Sequence, residues 1–276
     1  MSDRDITPNT NFTLDTNFDA KLQELLQLSH DLGDPIHDWA ILGEGNMSTR
    51  VDDETFLVKA SGSELRTLAA EQVSRVRFAP VLEALNQTRD YSDAEVKDLL
   101  LSACVGGQGR MPSVETLLHG FLLTLPGIDF IGHTHIVSVN GLLCSREGWA
   151  AIQGGGRLFP DEIVVCGVAP CCVPYTDPGI PLARALRDGV QDYIQAHSAA
   201  PKTIYLQNHG FIAVGKSAQE VHNIHMMGDK AARILLGALS CGTASCLTPE
   251  NVTRIQTRPD EHYRQLALGL RPDQPA

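Results

Sequence analysis

Positive charge, aromatic side chains and long apolar runs are all scarce in this sequence. Twenty-two Lys and Arg stand against 33 Asp and Glu, a formal net charge of −11. That balance argues against general binding to nucleic acid or to an anionic membrane, both of which attract positive charge. An anionic small molecule is compatible with it only if local donors overcome the overall field. Phe, Trp and Tyr together make up 5% of the chain, so a core must be built mainly from aliphatic side chains. No window approaches the roughly 18 uncharged apolar residues of a membrane span. Residues 1–19 are polar and acidic and have no apolar signal core, so a cytoplasmic protein is expected. Seven cysteines do not pair evenly, and their spacing is not that of a small secreted disulfide framework. Cys104, Cys144 and Cys166 lie among apolar neighbours and are expected in the core. The adjacent Cys171 and Cys172 suit neither a zinc knuckle nor a redox C-x-x-C. Gly43-Glu44-Gly45 is followed by Asn46-Met47-Ser48, so the third glycine of a dinucleotide-binding G-x-G-x-x-G is missing. No internal repeat and no long linker divide the chain.

What is present supports one sizeable α/β domain: 276 residues, 43% of them hydrophobic. Residues 1–17 read as a loosely docked arm, rich in Asp, Asn and Thr, and residues 18–276 as the domain with a helical C-terminal tail. Leucines at 22, 25, 26 and 28 predict a helix over residues 18–32, ended by Gly33 and Pro35. Residues 41–51 form a glycine turn entering a strand, and residues 55–60 pair back as a hairpin. Ser61-Gly62-Ser63 should lead into a short capped helix. Residues 73–78 are a strand. Ser92 and Glu95 have capping-box spacing ahead of a helix over 93–104, and residues 106–109 are a flexible loop. Pro112 and Glu115 suit the first turn of a helix over 112–125. Residues 128–131 are a buried strand, and residues 136–144 turn into helix. Residues 163–168 read as another buried strand and 181–197 as helix. Strands at 203–207 and 211–214 flank Asn208-His209-Gly210. The longest helix covers 218–239, and short helices follow Thr248. Hairpins ahead of the first long crossover predict a mixed sheet flanked by helices rather than a purely parallel one.

The chemistry centres on Gly132-His133-Thr134-His135. Alternation along a strand points His133 and His135 the same way. A lone His-x-His is often only a polar strand end, but His209 follows another apolar strand and Glu115 opens a helix. Three His and one Glu suit a catalytic zinc, which takes three protein ligands and keeps one position open. Three short stretches could offer N–H and O–H groups to an anion: Gly45-Asn46 with Ser48, Ser61-Gly62, and Ser113 at a helix N-terminus. Lys59 could add charge, although a lysine ending a strand is usually solvated. A metal beside a phosphate pocket suggests a small phosphorylated sugar, with the ion stabilising an enediolate and Glu115 moving a proton.

Taken in order, Gly45-Asn46-x-Ser48, Ser61-Gly62, Pro112-Ser113-x-Glu115, His133-x-His135 and Asn208-His209-Gly210 resemble the class II aldolase/adducin family, over about residues 18–240. That family includes fuculose-phosphate and rhamnulose-phosphate aldolases and ribulose-phosphate 4-epimerase. The resemblance implies a single-domain, three-layer α/β/α fold with a central mixed, largely antiparallel sheet, and a homotetramer with its site at a subunit interface. It implies His133, His135 and His209 as ligands of zinc or another divalent metal. It implies Glu115 as the catalytic acid/base, and Asn46, Ser61, Gly62 and Ser113 as phosphate-binding residues. The implied activity is retro-aldol cleavage of a ketose 1-phosphate. The alternatives are a metal-dependent decarboxylase of a phosphorylated 3-oxo sugar acid and a non-catalytic adducin-like interaction module. Val114 stands where fuculose-phosphate aldolase has a second Ser, which removes one hydroxyl from the phosphate site. The family's epimerases have Asp in place of Glu115. Those aldolases draw a proton-donor tyrosine from a neighbouring subunit, for which Tyr263 is the candidate here.

Overall fold

A seven-stranded sheet crosses the molecule in the order β3-β2-β1-β4-β7-β6-β5. The computed structural model describes residues 16–107 and 110–267. The expected arm lies outside these residues up to position 15, as do positions 108 and 109 of the expected loop. In chain order, α1 (Thr16–Leu32), β1 (Asn46–Arg50), β2 (Thr55–Lys59) and β3 (Val73–Arg77) come first. Three helices follow: α2 (Phe78–Asn86), α3 (Asp93–Ala103) and α4 (Thr116–Leu122). Next come β4 (Phe130–Thr134), α5 (Val137–Leu143), α6 (Arg146–Gln153), α7 (Pro160–Cys166) and β5 (Cys171–Val173). The chain continues through α8 (Ile180–His197), β6 (Thr203–Leu206), β7 (Gly210–Gly215), α9 (Ala218–Cys241), α10 (Pro249–Gln256) and α11 (Pro259–Ala267). Every neighbouring strand pair is antiparallel except β5 with β6. This is the mixed, largely antiparallel sheet that the early hairpins predict.

Alternation along the strands sends side chains into two separate cores. Phe56, Val58, Ile131, Ile204, Ile212 and Val214 pack beneath α2, α3, α4 and α8. Leu57, Phe130, Tyr205, Phe211 and Ala213 pack on the opposite face against α1, α5, α6, α7 and α9. Period-2 burial on both faces is what a sheet covered by two helical layers requires. The long α9 presents Val221, Ile224, Gly228, Ala231, Ala232 and Leu235 to that second core, close to the 3.6-residue period. Ser92 and Glu95 form the expected capping box at the start of α3. Among the described residues no helix is long and apolar enough to cross a membrane.

Four local expectations are corrected. Residues 163–168 are not a strand: they fall in and just after α7, with Pro160 in its first turn and Gly167 at φ 81° beyond its end. A short apolar run fits buried helix and buried strand alike, and here the helix signals win. The edge strand is instead Cys171–Val173, paired with β6. No helix is capped by Ser61 or Ser63: the Ser61 N–H is taken by the Met111 carbonyl and the Leu65 carbonyl by Ser29, and the single 3-10 turn before β3, Ala70–Gln72, starts well beyond them. The helix expected over 112–125 is confined to Thr116–Leu122, because Pro112 is bridged to Ala60 and held extended. Cys144 is exposed, whereas Cys104 and Cys166 are buried.

Candidate functional site

Strand register builds the site's floor. Asn46 of β1 and Ile212 of β7 both pair with His133 of β4. Cross-strand partners share a face, so Asn46 and His133 stand together beneath α4. His135 follows one residue past the strand, its backbone N–H donated to the Trp39 carbonyl. His209 sits in the tight turn between β6 and β7, after Asn208 at φ 54°, a left-handed conformation that Asn tolerates better than most residues. Gly210 is needed for close approach. A Cβ there would lie 2.8 Å from a His135 ring carbon and 2.9 Å from one of His133.

The three imidazoles converge. Their candidate ligand atoms all lie within 4.8 Å of one another, and His133 Nε2 is 3.3 Å from His135 Nε2. His133 Nδ1 meets the Phe211 carbonyl at 3.0 Å. A carbonyl only accepts, so the ring proton lies on Nδ1 and the Nε2 lone pair faces the cluster. Burial pushes the His133 pKa down to about 3. Burial also lowers that of His135, and nearby His209 adds to the effect. Ring nitrogens of three histidines gathered around one point are the donor set a divalent cation requires. These residues fit a metal.

Glu115 occupies the N-cap position of α4 and faces the cluster. Its Oε1 lies 3.0 Å from His209 Nε2 and its Oε2 3.5 Å from His133 Nε2. Asn46 Nδ2 donates to Oε2 at 2.5 Å. Burial opposes ionisation of Glu115, but His133, His209 and the Asn46 amide outweigh it and hold the carboxyl well below the usual range.

Of the expected anion-binding pieces, Ser61-Gly62 and Ser113 lie side by side, whereas Ser48 is fully buried and bonded to His119. Ala60 bridges Pro112 and Ser61 N–H reaches the Met111 carbonyl, which sets Ser61-Gly62 beside Ser113. A Cβ on Gly43 would lie 3.9 Å from the Gly62 Cα, and Lys59 Nζ donates to the Gly43 carbonyl at 3.2 Å. Ser61 and Gly62 are exposed and Ser113 is half-buried. Lys59 is not a solvated strand end; it is 2% exposed. Burial lowers its pKa, against an opposing pull from Glu115. The sequence reading named Lys59 but missed its burial, and it missed His119, which is fully buried and bonds both Ser48 and Asn46. The four-residue spacing from Glu115 to His119, one helical turn, was the available signal. Tyr263 is exposed on α11, which packs on α7 and α10 in the layer opposite α4.

The fold and this cluster define a class. The chain belongs to the family described as Class II Aldolase and Adducin N-terminal domain, whose model matches residues 23–236. Its similarities to individual proteins are more distant. It is 24% identical over 208 residues to an uncharacterized oxidoreductase, YuxG, of Bacillus subtilis, a match covering 72% of this chain. The match spans only 27% of that relative's length. The N-terminal class II aldolase domain of a conserved Thermoplasma acidophilum protein superposes with a TM-score of 0.60 at 23% identity, covering 86% of this chain and 99% of that one. An L-fuculose 1-phosphate aldolase gives 0.64 at 20% identity, over 86% and 94%. At such identities the structural likeness establishes the fold.

Proposed function

We propose that this chain is a metal-dependent lyase that cleaves a ketose 1-phosphate, or a related sugar phosphate, into a ketone phosphate and an aldehyde. The observation that carries this reading is the convergence of His133, His135 and His209, two of them against the buried Glu115 carboxyl, with Ser61-Gly62 and Ser113 side by side. His133, His135 and His209 would hold zinc or another divalent ion. When bound, the ion supplies Lewis acidity to the substrate's carbonyl and neighbouring hydroxyl oxygens.

The rest is assigned to the chain's own groups. Ser61, Gly62 and Ser113 bind the phosphate, joined by the second N–H of the Asn46 amide and by the charge of Lys59. Retro-aldol cleavage removes a proton from the hydroxyl β to the carbonyl. The carbon–carbon electron pair passes to the ketone fragment, and one proton is returned to that fragment's carbon. Glu115 is the base placed to carry a proton in this exchange. The same reading carries a homotetramer, which sedimentation velocity checks.

The direct experiment incubates zinc-loaded protein with a panel of ketose 1-phosphates and phosphorylated 3-oxo sugar acids, with and without chelator. Ketone phosphate released from a ketose 1-phosphate, and abolished by chelator, is the expected result. Carbon dioxide released from the sugar acids alone would replace the aldolase by a decarboxylase. No product from any compound would contradict a lyase.

A further inference from the structure

Ser48, His119, Asn46 and Glu115 form one continuous buried chain of hydrogen bonds. Ser48 Oγ lies 2.7 Å from His119 Nδ1, His119 Nε2 is bonded to Asn46 Oδ1, and Asn46 Nδ2 reaches Glu115 Oε2 at 2.5 Å. Ser48 and His119 are fully buried and Asn46 is 3% exposed. The arrangement follows from two periodicities. Asn46 and Ser48 are two apart on β1 and share a face. Glu115 and His119 are four apart and share a side of α4.

The orientation of the Asn46 amide, its NH2 on Glu115 and its carbonyl oxygen on His119, sets the direction of every bond in the chain. A carboxylate only accepts, so Asn46 must turn its NH2 toward Glu115 and its carbonyl oxygen toward His119. That oxygen also only accepts, so His119 must carry its proton on Nε2. In the neutral ring Nδ1 then has a lone pair, and Ser48 donates to it. We propose that His119 is a positioning residue: by donating from Nε2 to Asn46 Oδ1 it locks the Asn46 amide so that its NH2 faces Glu115 and the substrate anion. Without that donor the Asn46 oxygen is a buried, unsatisfied acceptor, and the amide can flip. The flip sets its oxygen against the Glu115 carboxylate and withdraws both N–H groups from the site. The proposal rests on the functional reading for what Glu115 does, but the bond directions stand apart from it.

Long-range ¹H–¹⁵N correlation spectra of histidine-labelled protein read the ring protons directly, with the His119 signals identified by their loss in His119→Gln. The expected result is a neutral His119 ring protonated on Nε2 at pH 7, with its Nε2 resonance displaced in Asn46→Ala. A proton on Nδ1, or a His119 signal unmoved by Asn46→Ala, overturns the proposal. Turnover provides the second measurement. His119→Phe should keep its metal while KM rises on the order of 10-fold, as expected for a lost phosphate donor, and kcat falls on the order of 10-fold or more, the scale of a misplaced catalytic group. Gln retains one donor and one acceptor, so His119→Gln should recover most of that loss. Unchanged kcat in His119→Phe also overturns the proposal. If wild-type protein cleaves no sugar phosphate, the lyase reading fails and the spectra alone decide the role of His119.

Discussion

Asn46 and His133 lie directly opposite each other on β1 and β4, so the residue that bonds the Glu115 carboxyl and a metal-ligand candidate are fixed by one strand register. Slipping that register by one residue would put Asn46 and His133 on opposite faces of the sheet. The histidine cluster is therefore anchored in the centre of the sheet. His135 just past β4, the His209 turn, the loop before α4 and Glu44 of the loop before β1 reach it from outside the strands.

That turn provides the first prediction. Gly210→Ala places a methyl group against both His133 and His135, so the rings must separate or the turn must shift. Zinc affinity measured by competition with a chromophoric chelator should fall at least about 10-fold, the usual lower scale for disturbing the surroundings of a metal ligand. The protein should stay folded by circular dichroism. Unchanged affinity would mean the three rings do not share one ion.

The anion site is tested through Lys59 and Ser61. Loss of a hydrogen bond to a charged group costs about 1.5–3 kcal/mol, roughly a 10- to 150-fold loss of affinity. Ser61→Ala and Lys59→Met should each raise KM or the inhibition constant of inorganic phosphate on that scale, with a smaller effect on kcat. Constants matching wild type in both variants would remove the phosphate from this pocket.

Much of this was legible in the sequence, for identifiable reasons. His133 and His135 lie at the end of a short apolar run, and period-2 alternation alone puts them on one side. Asn208-His209-Gly210 separates two such runs, which marks a hairpin. The mixed sheet followed from hairpins that precede any crossover. Position 160 onward was misread because Ile163, Val164 and Val165 suit a buried strand and a buried helix equally. The start of α4 was misplaced because the bridge from Pro112 to Ala60 joins segments about 50 residues apart in the chain. The burial of Lys59 also depends on tertiary context, since the Gly43 carbonyl that receives its ammonium belongs to another loop.

Acid stability offers a test away from the site. His225 is fully buried in α9, and its Nδ1 lies 2.9 Å from the Val221 carbonyl. Burial pushes its pKa down to about 3, against about 6.5 in an unfolded chain. Between those values the unfolded chain binds a proton that the folded one refuses. The stabilising effect is therefore complete above pH 6.5 and is lost as pH falls toward 3. His119, His133 and Glu115 act in the same direction, so the whole protein should weaken steeply in acid. In His225→Phe the slope of unfolding free energy against pH, from urea titrations between pH 6 and 4, should be shallower by up to about 1.4 kcal/mol per pH unit, the value of one proton. Parallel slopes would show that His225 is protonated in the folded state.

The central claim is that Glu115 is a working base beside a metal held by three histidines, and Glu115→Gln tests it most directly. Gln preserves the size of the side chain and its bond to Asn46 through Oε1, but removes the basicity. Metal content by elemental analysis and turnover of a cleaved sugar phosphate should be measured on the same preparation. The account predicts about one zinc per chain, as a three-histidine site holds, with turnover reduced roughly 100-fold or more. Zinc-loaded Glu115→Gln that turns over at the wild-type rate would contradict it.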